Sequence, residues 1–168
     1  MFDLAVTQPR KMLKNLDAWL EEAVAYAAER KFDPDTLLQA RLYPDMHPLA
    51  AQIRAVADSA KLGAARCAGV QAPKHADDET TLTALRARLQ EVAAYLEGFE
   101  RSQIDGQEDR RIDLPFLQGR AARAEDYLRE FALPNMHFHL VTAYGILRHC
   151  GVLLGKTKYI GGMTLIEE

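Results

Sequence analysis

Apolar residues recur at three- and four-residue steps through four long stretches of the chain, and no stretch carries a convincing strand ladder. The first stretch runs from about Gln8 to Lys31, with Leu13, Leu16, Leu20, Ala23, Val24 and Ala27 on one stripe. Pro9 falls in its first turn, where a helix tolerates proline, and Phe32-Asp33-Pro34 ends it. The second begins near Pro48, carries Leu49, Ile53, Val56, Ala60, Ala64 and Cys67, and stops at the capping residue Gly69. The third follows the acidic run Asp77-Asp78-Glu79, whose charge complements a helix start. It carries Leu82, Leu85, Leu89, Val92, Leu96 and Phe99 as far as about Glu100. The fourth spans about Pro134 to His149 and is closed by Gly151. It has almost no polar stripe before Arg148, which predicts a central position in the fold.

Helices of about 16 to 24 residues, roughly 25 to 35 Å long, predict an all-α four-helix bundle. The length predicts a single domain over residues 1–168. The connection from Arg101 to Leu133 is longer than a bundle loop needs, so it should hold structure of its own. Arg111 to Leu114 is predicted to pair with part of Gln118 to Arg123, and Ala124 to Phe131 to form a short separate helix. The tail from Lys156 to Glu168 reads as an irregular strap.

Composition narrows the function without naming it. A net charge of -3 and a pI near 6.0 argue against a nucleic-acid or anionic-membrane footprint. The longest apolar run, Phe138 to Leu147, is too short to span a bilayer. The start, MFDLAVTQPRK, lacks the order of a signal peptide, so a cytoplasmic location is expected. Cys67 and Cys150 show no paired spacing. Both read as small buried apolar residues rather than nucleophiles, since no activating base is identifiable.

Candidate chemistry concentrates in the fourth helix, which holds three of the five histidines. No Glu-x-x-His and no His-Glu-x-x-His occurs, so neither a ferritin-like nor a zincin centre is encoded. Asn135 and His139 are four residues apart and share a helical face, whereas His137 points about 200° away from His139. His139 is therefore the residue expected to face inward, with Asn135 before it and Thr142 after it. His47 and Asp45, at the mouth of the second helix, are the partners that could reach it. An inward histidine hydrogen-bonded to a neighbouring helix and a metal ligand are the two readings. The metal reading requires His47, Asn135 and His139 to converge, because a metal site normally takes about three side-chain ligands. The charges of Glu108-Asp109-Arg110-Arg111 are expected to pin the long connection through ion pairs, with a substrate-binding arginine as the alternative. The scattered aromatic residues fit core or dimer packing.

Several segments together resemble a known family. Leu42-Tyr-Pro-Asp-Met-His-Pro-Leu49 opens the second helix and Gly106-Gln-Glu-Asp-Arg110 lies in the long connection. Tyr127-Leu128, Leu133-Pro-Asn135, Phe138-His139, Ala143-Tyr-Gly-Ile-Leu-Arg-His149, Gly151 and Gly155-Lys156 follow in order. The string resembles a domain-of-unknown-function family of the DinB/YfiT-like superfamily, found in bacteria and fungi. That resemblance implies a DinB-like four-helix bundle, often a homodimer. It also implies a divalent metal (zinc, nickel or iron) held by three histidines, one on the second helix and an HxxxH pair on the last. His139 would match the second member of that pair. Asn135 stands at the first, and only Asp45 or His47 is available from the second helix. The resemblance implies that some members use this centre in thiol-dependent transfer. Two functions are thus expected: a metal-dependent enzyme acting on a small thiol adduct with an altered pocket around His139, or a non-enzymatic homodimeric bundle serving as a binding or structural module. Neither involves nucleic acid or membrane.

Overall fold

The computed structural model describes residues 1–166 as a mostly helical chain with one small antiparallel sheet. The four long helices are α1 (Gln8–Arg30), α2 (Leu49–Ala68), α3 (Leu82–Glu97) and, after a β1 (Arg111–Leu114) and β2 (Arg120–Arg123) hairpin, α4 (Ala124–Tyr127) running into α5 (Leu133–His149). A last short helix, α6, spans Lys156–Ile160. Helix α1 packs chiefly on α3, and α2 packs on both α3 and α5. Each predicted stripe is the buried one: Leu16, Leu20, Ile53, Val56, Leu85, Val92 and Leu140 are all inaccessible to solvent. No described helix is long and apolar enough to cross a membrane.

Two helices run through a proline that the sequence reads as their start. Helix α1 continues upstream as a π turn over Asp3–Thr7, closed by the Gln8 amide on the Asp3 carbonyl. Helix α5 is likewise entered through a π turn over Leu128–Ala132, closed by the Leu133 amide on the Leu128 carbonyl. In each case the next residue is a proline, Pro9 or Pro134. Proline lacks an amide hydrogen and its ring collides with the carbonyl four residues back. A bond reaching five residues back turns that carbonyl aside, so the helix bulges instead of stopping. The predicted separate helix at Ala124 to Phe131 and the predicted fourth helix are thus one continuous rod from Ala124 to His149. The first rod is secured at its start by Asp105, whose Oδ1 accepts from the Met1 terminal amine and the Phe2 amide, each at 2.8 Å.

Helix ends follow local chemistry. Gly69 caps α2 at φ +70°, and a Cβ there would lie 2.3 Å from the Arg110 guanidinium. The start of α3 differs from expectation. Thr81, not the acidic run, is its cap: its hydroxyl accepts from the Ala84 amide at 3.1 Å, and Asp35 from a distant turn takes the Leu82 amide at 2.7 Å. Asp77 and Glu79 turn instead to arginines on α2 and α3. The hairpin register pairs Arg111 with Arg123 and Leu114 with Arg120. Ile112 and Leu114 on β1 point into the core, so apolar side chains anchor the long connection where the sequence predicts ion pairs. Of its charged run, Asp109 pairs with Arg123 at 2.8 Å, while Arg110 bonds the Gln107 side chain at 2.7 Å and covers Gly69.

The first part of the tail is a helix, Lys156–Ile160. Residues 161–166 follow it without regular structure, and Glu167 and Glu168 lie outside the described residues. Trp19 Nε1 donates to the Lys158 carbonyl at 3.1 Å, and Asn15 Nδ2 to the Tyr159 carbonyl at 3.0 Å, laying α6 along α1.

Candidate functional site around His139

Asn135 and His139 share the face of α5 that meets α2, as their four-residue spacing predicts, but they meet different partners there. His139 Nδ1 lies 2.7 Å from Gln52 Oε1. Asn135 Nδ2 donates to Ser59 Oγ at 2.8 Å. Gln52 and Ser59 are seven residues apart, two turns of α2 or about 10 Å, so the antiparallel helices hold two separate polar contacts within an apolar seam.

The Gln52 contact sets the state of His139. Gln52 Nε2 is committed to the His47 carbonyl at 2.9 Å, so its Oε1 faces the ring as an acceptor. His139 must then carry its proton on Nδ1 and leave Nε2 with a bare lone pair. Burial lowers the pKa of His139, and the charge of His47 lowers it further. Phe138 meets the His139 ring edge to face at 5.2 Å. The chemistry available is that of a neutral imidazole, fixed in one tautomer, offering a hydrogen-bond or proton acceptor beside a second histidine.

The other candidates are used elsewhere. Thr142 Oγ1 donates to the Phe138 carbonyl within its own helix at 2.8 Å. His137 faces α6, with Nδ1 3.2 Å from the Tyr159 hydroxyl, and burial lowers its pKa. His149 and Asp45 are exposed. Burial pushes the Cys67 thiol up to about 11 and also raises Cys150, so neither is an activated nucleophile.

These placements test the metal that the resemblance implies. His47 and His139 lie close enough for their charges to interact. Asn135 Nδ2 is turned to Ser59 and the Gln52 carbonyl to the His139 ring, and an amide oxygen is a poor ligand for zinc, nickel or iron. Among the described residues no group of three or more His, Cys, Asp or Glu side chains is placed to hold a metal ion. Two imidazoles without a third strong ligand do not fit the three-ligand pattern.

The sequence reading overlooked Gln52 and Ser59. Their signal was present: both are polar residues on the buried side of α2, and Gln52 stands between Leu49 and Ile53 with only 2% of its surface exposed. A buried amide must find a partner.

Comparison with known proteins supplies the family. The profile of a domain of unknown function, DUF1993, matches residues 1–160. The chain belongs to the DUF1993 family. A crystal structure of a DinB family member from Shewanella denitrificans is similar along the whole length: 44% identity, a TM-score of 0.95, 99% of this chain and 95% of that one. No curated protein gives a match. The DUF1993 match and the DinB-family neighbour accord with the resemblance carried by the Leu42–Leu49 and Leu133–Gly151 segments.

The two half-buried histidines of this DUF1993 chain, His137 and His139, give its stability a definite pH dependence. A folded-state pKa below the ordinary value of 6.5 means the unfolded chain binds more protons near pH 6. The contribution of His137 and His139 is therefore complete above pH 6.5 and is lost as pH falls through their folded values. Asp105, held down to about 2 first by the Met1 amine and then by the Phe2 amide, acts in a separate window between about pH 4 and 2. Urea midpoints measured from pH 7.5 to 4.5 are expected to fall for the wild type and to fall less for His139→Gln. Equal slopes for the two proteins would exclude His139 as a source.

Proposed function

We propose that this DUF1993 protein is a small-molecule-binding member of the DinB-like group, built as a single four-helix-bundle domain. Its site lies at the mouth of α2, and His139 Nε2 accepts a hydrogen bond from the ligand. The observation that carries the reading is the 2.7 Å contact between His139 Nδ1 and Gln52 Oε1, which fixes the tautomer and orientation of the ring, while burial favours its neutral form. Leu42, Tyr43, Phe138 and Val141 are exposed apolar side chains; Phe138 meets the His139 ring and Leu42 lies over Gly145 of α5. Exposed apolar side chains next to His139 favour a homodimer in which a second copy covers them, and no thiol chemistry is required of the site. The runner-up reading, a metal-dependent enzyme acting on a thiol adduct, draws on one observation, the proximity of His47 to His139.

Elemental analysis of protein purified without a chelating tag separates the two. The binding reading expects less than stoichiometric zinc, nickel or iron. Near-stoichiometric metal that disappears in His139→Ala overturns it. Gln52→Leu tests the geometry: it orphans the Nδ1 proton and the His47 carbonyl, a cost of about 1–3 kcal/mol. In the wild type, nitrogen NMR at pH 7.5 should show His139 as the Nδ1-protonated tautomer. In Gln52→Leu the ring should become a tautomer mixture. A wild-type ring protonated on Nε2 would sink the assignment.

A further inference from the structure

One turn along the same helix pair, away from His139, α2 and the π turn over Leu128–Ala132 enclose a cleft of about 240 Å³. Phe131 and Ala132 of the π turn form one wall and Ala55 and Leu62 of α2 the other, with Asp58, Ser59 and Asn135 supplying its polar groups. The volume lies below the roughly 300–1,000 Å³ of drug-sized pockets, so its ligand is a small one.

The hydrogen-bond bookkeeping of the polar side chains defines what such a ligand must offer. The Ser59 hydroxyl donates to the Ala55 carbonyl at 2.7 Å and accepts from Asn135 Nδ2, so it is spent. Asn135 Oδ1 is not: no described residue donates to it. Asp58 accepts Lys61 and Arg88 through the same oxygen, Oδ1, each at 2.8 Å, and no described residue donates to Oδ2. Two open acceptors therefore border one small cleft.

Charge decides between ligands that could satisfy them. The Asp58 carboxylate is already balanced by the buried cations Lys61 and Arg88, and Arg66 borders the cleft as well. A ligand cation gains no net attraction from that set. An anion would face the carboxylate and the Asn135 carbonyl. A neutral group with two N–H donors suits both acceptors without either penalty, and the apolar walls suit a hydrocarbon body beside it.

We infer that the cleft between α2 and the π turn binds a neutral primary carboxamide with a small apolar body, at a site separate from His139. The wall that holds it exists because Pro134 forces the π bulge, so the same proline that shapes the helix shapes the cleft.

Benzamide is the probe, with benzylamine and benzoate as its cationic and anionic counterparts. Amide NMR titration of the full chain should give saturable shifts for benzamide with a Kd on the order of 1 mM, confined to residues 55–66 and 127–135. Benzylamine and benzoate should bind at least tenfold more weakly. Asn135→Leu removes one open acceptor and should weaken benzamide at least tenfold. Ala55→Phe fills the cleft from the opposite wall and should abolish binding, which guards against either variant failing to fold. Shifts centred on 47, 52 and 139 would assign the ligand to the His139 site and overturn the inference. So would an absence of shifts, or tighter binding of either charged probe. The His139 reading can fail while the benzamide result stands.

Discussion

Trp19→Ala is expected to cost about 4 kcal/mol, within the 3–5 kcal/mol typical of deleting a buried large aromatic. Trp19 is 1% exposed and is the bulkiest fully buried side chain. It stacks on Tyr159 at 5.5 Å and meets the edge of Tyr144 at 5.7 Å. Its Nε1 donates to the Lys158 carbonyl. The substitution thus removes a core volume and the hold on α6 together. The Lys158–Glu22 ion pair and the Asn15 bond remain. They are partly solvated contacts and cannot carry a five-residue helix that is marginal alone. Trp19→Phe separates the two roles: it keeps most of the apolar volume and loses the donor, so a smaller loss of about 1 kcal/mol is expected. Urea unfolding measures both costs. Hydrogen exchange at Lys158 to Gly161 should accelerate in both variants. Protection retained there in Trp19→Ala would show that α6 docks without it.

What the chain discloses in one dimension is uneven for physical reasons. Stripes such as Leu82-Leu85-Leu89-Val92-Leu96 are visible because burial on one helical face imposes a 3.6-residue period, and the same positions are buried. The Arg111–Leu114 and Arg120–Arg123 pairing was legible because the excessive length of the connection demanded substructure. Pro134 misled for a definite reason. A proline normally marks a helix boundary, and nothing local distinguishes a boundary from a π bulge that absorbs the ring. The rod therefore reads as two pieces in the sequence and is one in space.

The site was legible only in part. A four-residue spacing placed Asn135 and His139 on one face, and both do meet α2. Spacing along one helix says nothing about which residues of another lie opposite. The separation of the pair onto Ser59 and Gln52 is a tertiary fact. The same limit hid the ion network between α2 and α3. Asp77-Asp78-Glu79 reads as charge complementing a helix start, yet Thr81 and Asp35 take the α3 amides. The acids were needed elsewhere because Arg88, inside the α3 stripe, is buried.

Arg88→Leu is accordingly expected to lower stability by about 3 kcal/mol. The Arg88 side chain is 2% exposed and binds Asp58 and Glu79 at 2.8 and 2.9 Å, with Asp77 as a third partner. Removing one partner of a buried pair typically costs about 3–5 kcal/mol, because the other charge is left uncompensated. The low end applies here. Asp58 keeps Lys61 and Glu79 keeps Arg54, and Asp77, which loses its cation, is half exposed and regains water. Acid should shrink the difference. Burial raises the pKa of Glu79, but Arg88 and Arg54 overcome it and hold the carboxyl below its ordinary 4.5. Stability from that pairing is present above pH 4.5 and is lost as pH falls through the folded value. The gap in urea midpoint between wild type and Arg88→Leu should therefore be widest near neutrality and close on acidification below pH 4.5, as Glu79 protonates. A gap that stays constant across that range would mean the arginine contributes packing of its alkyl stem rather than charge. Arg88→Met, which keeps the stem, would then be harmless.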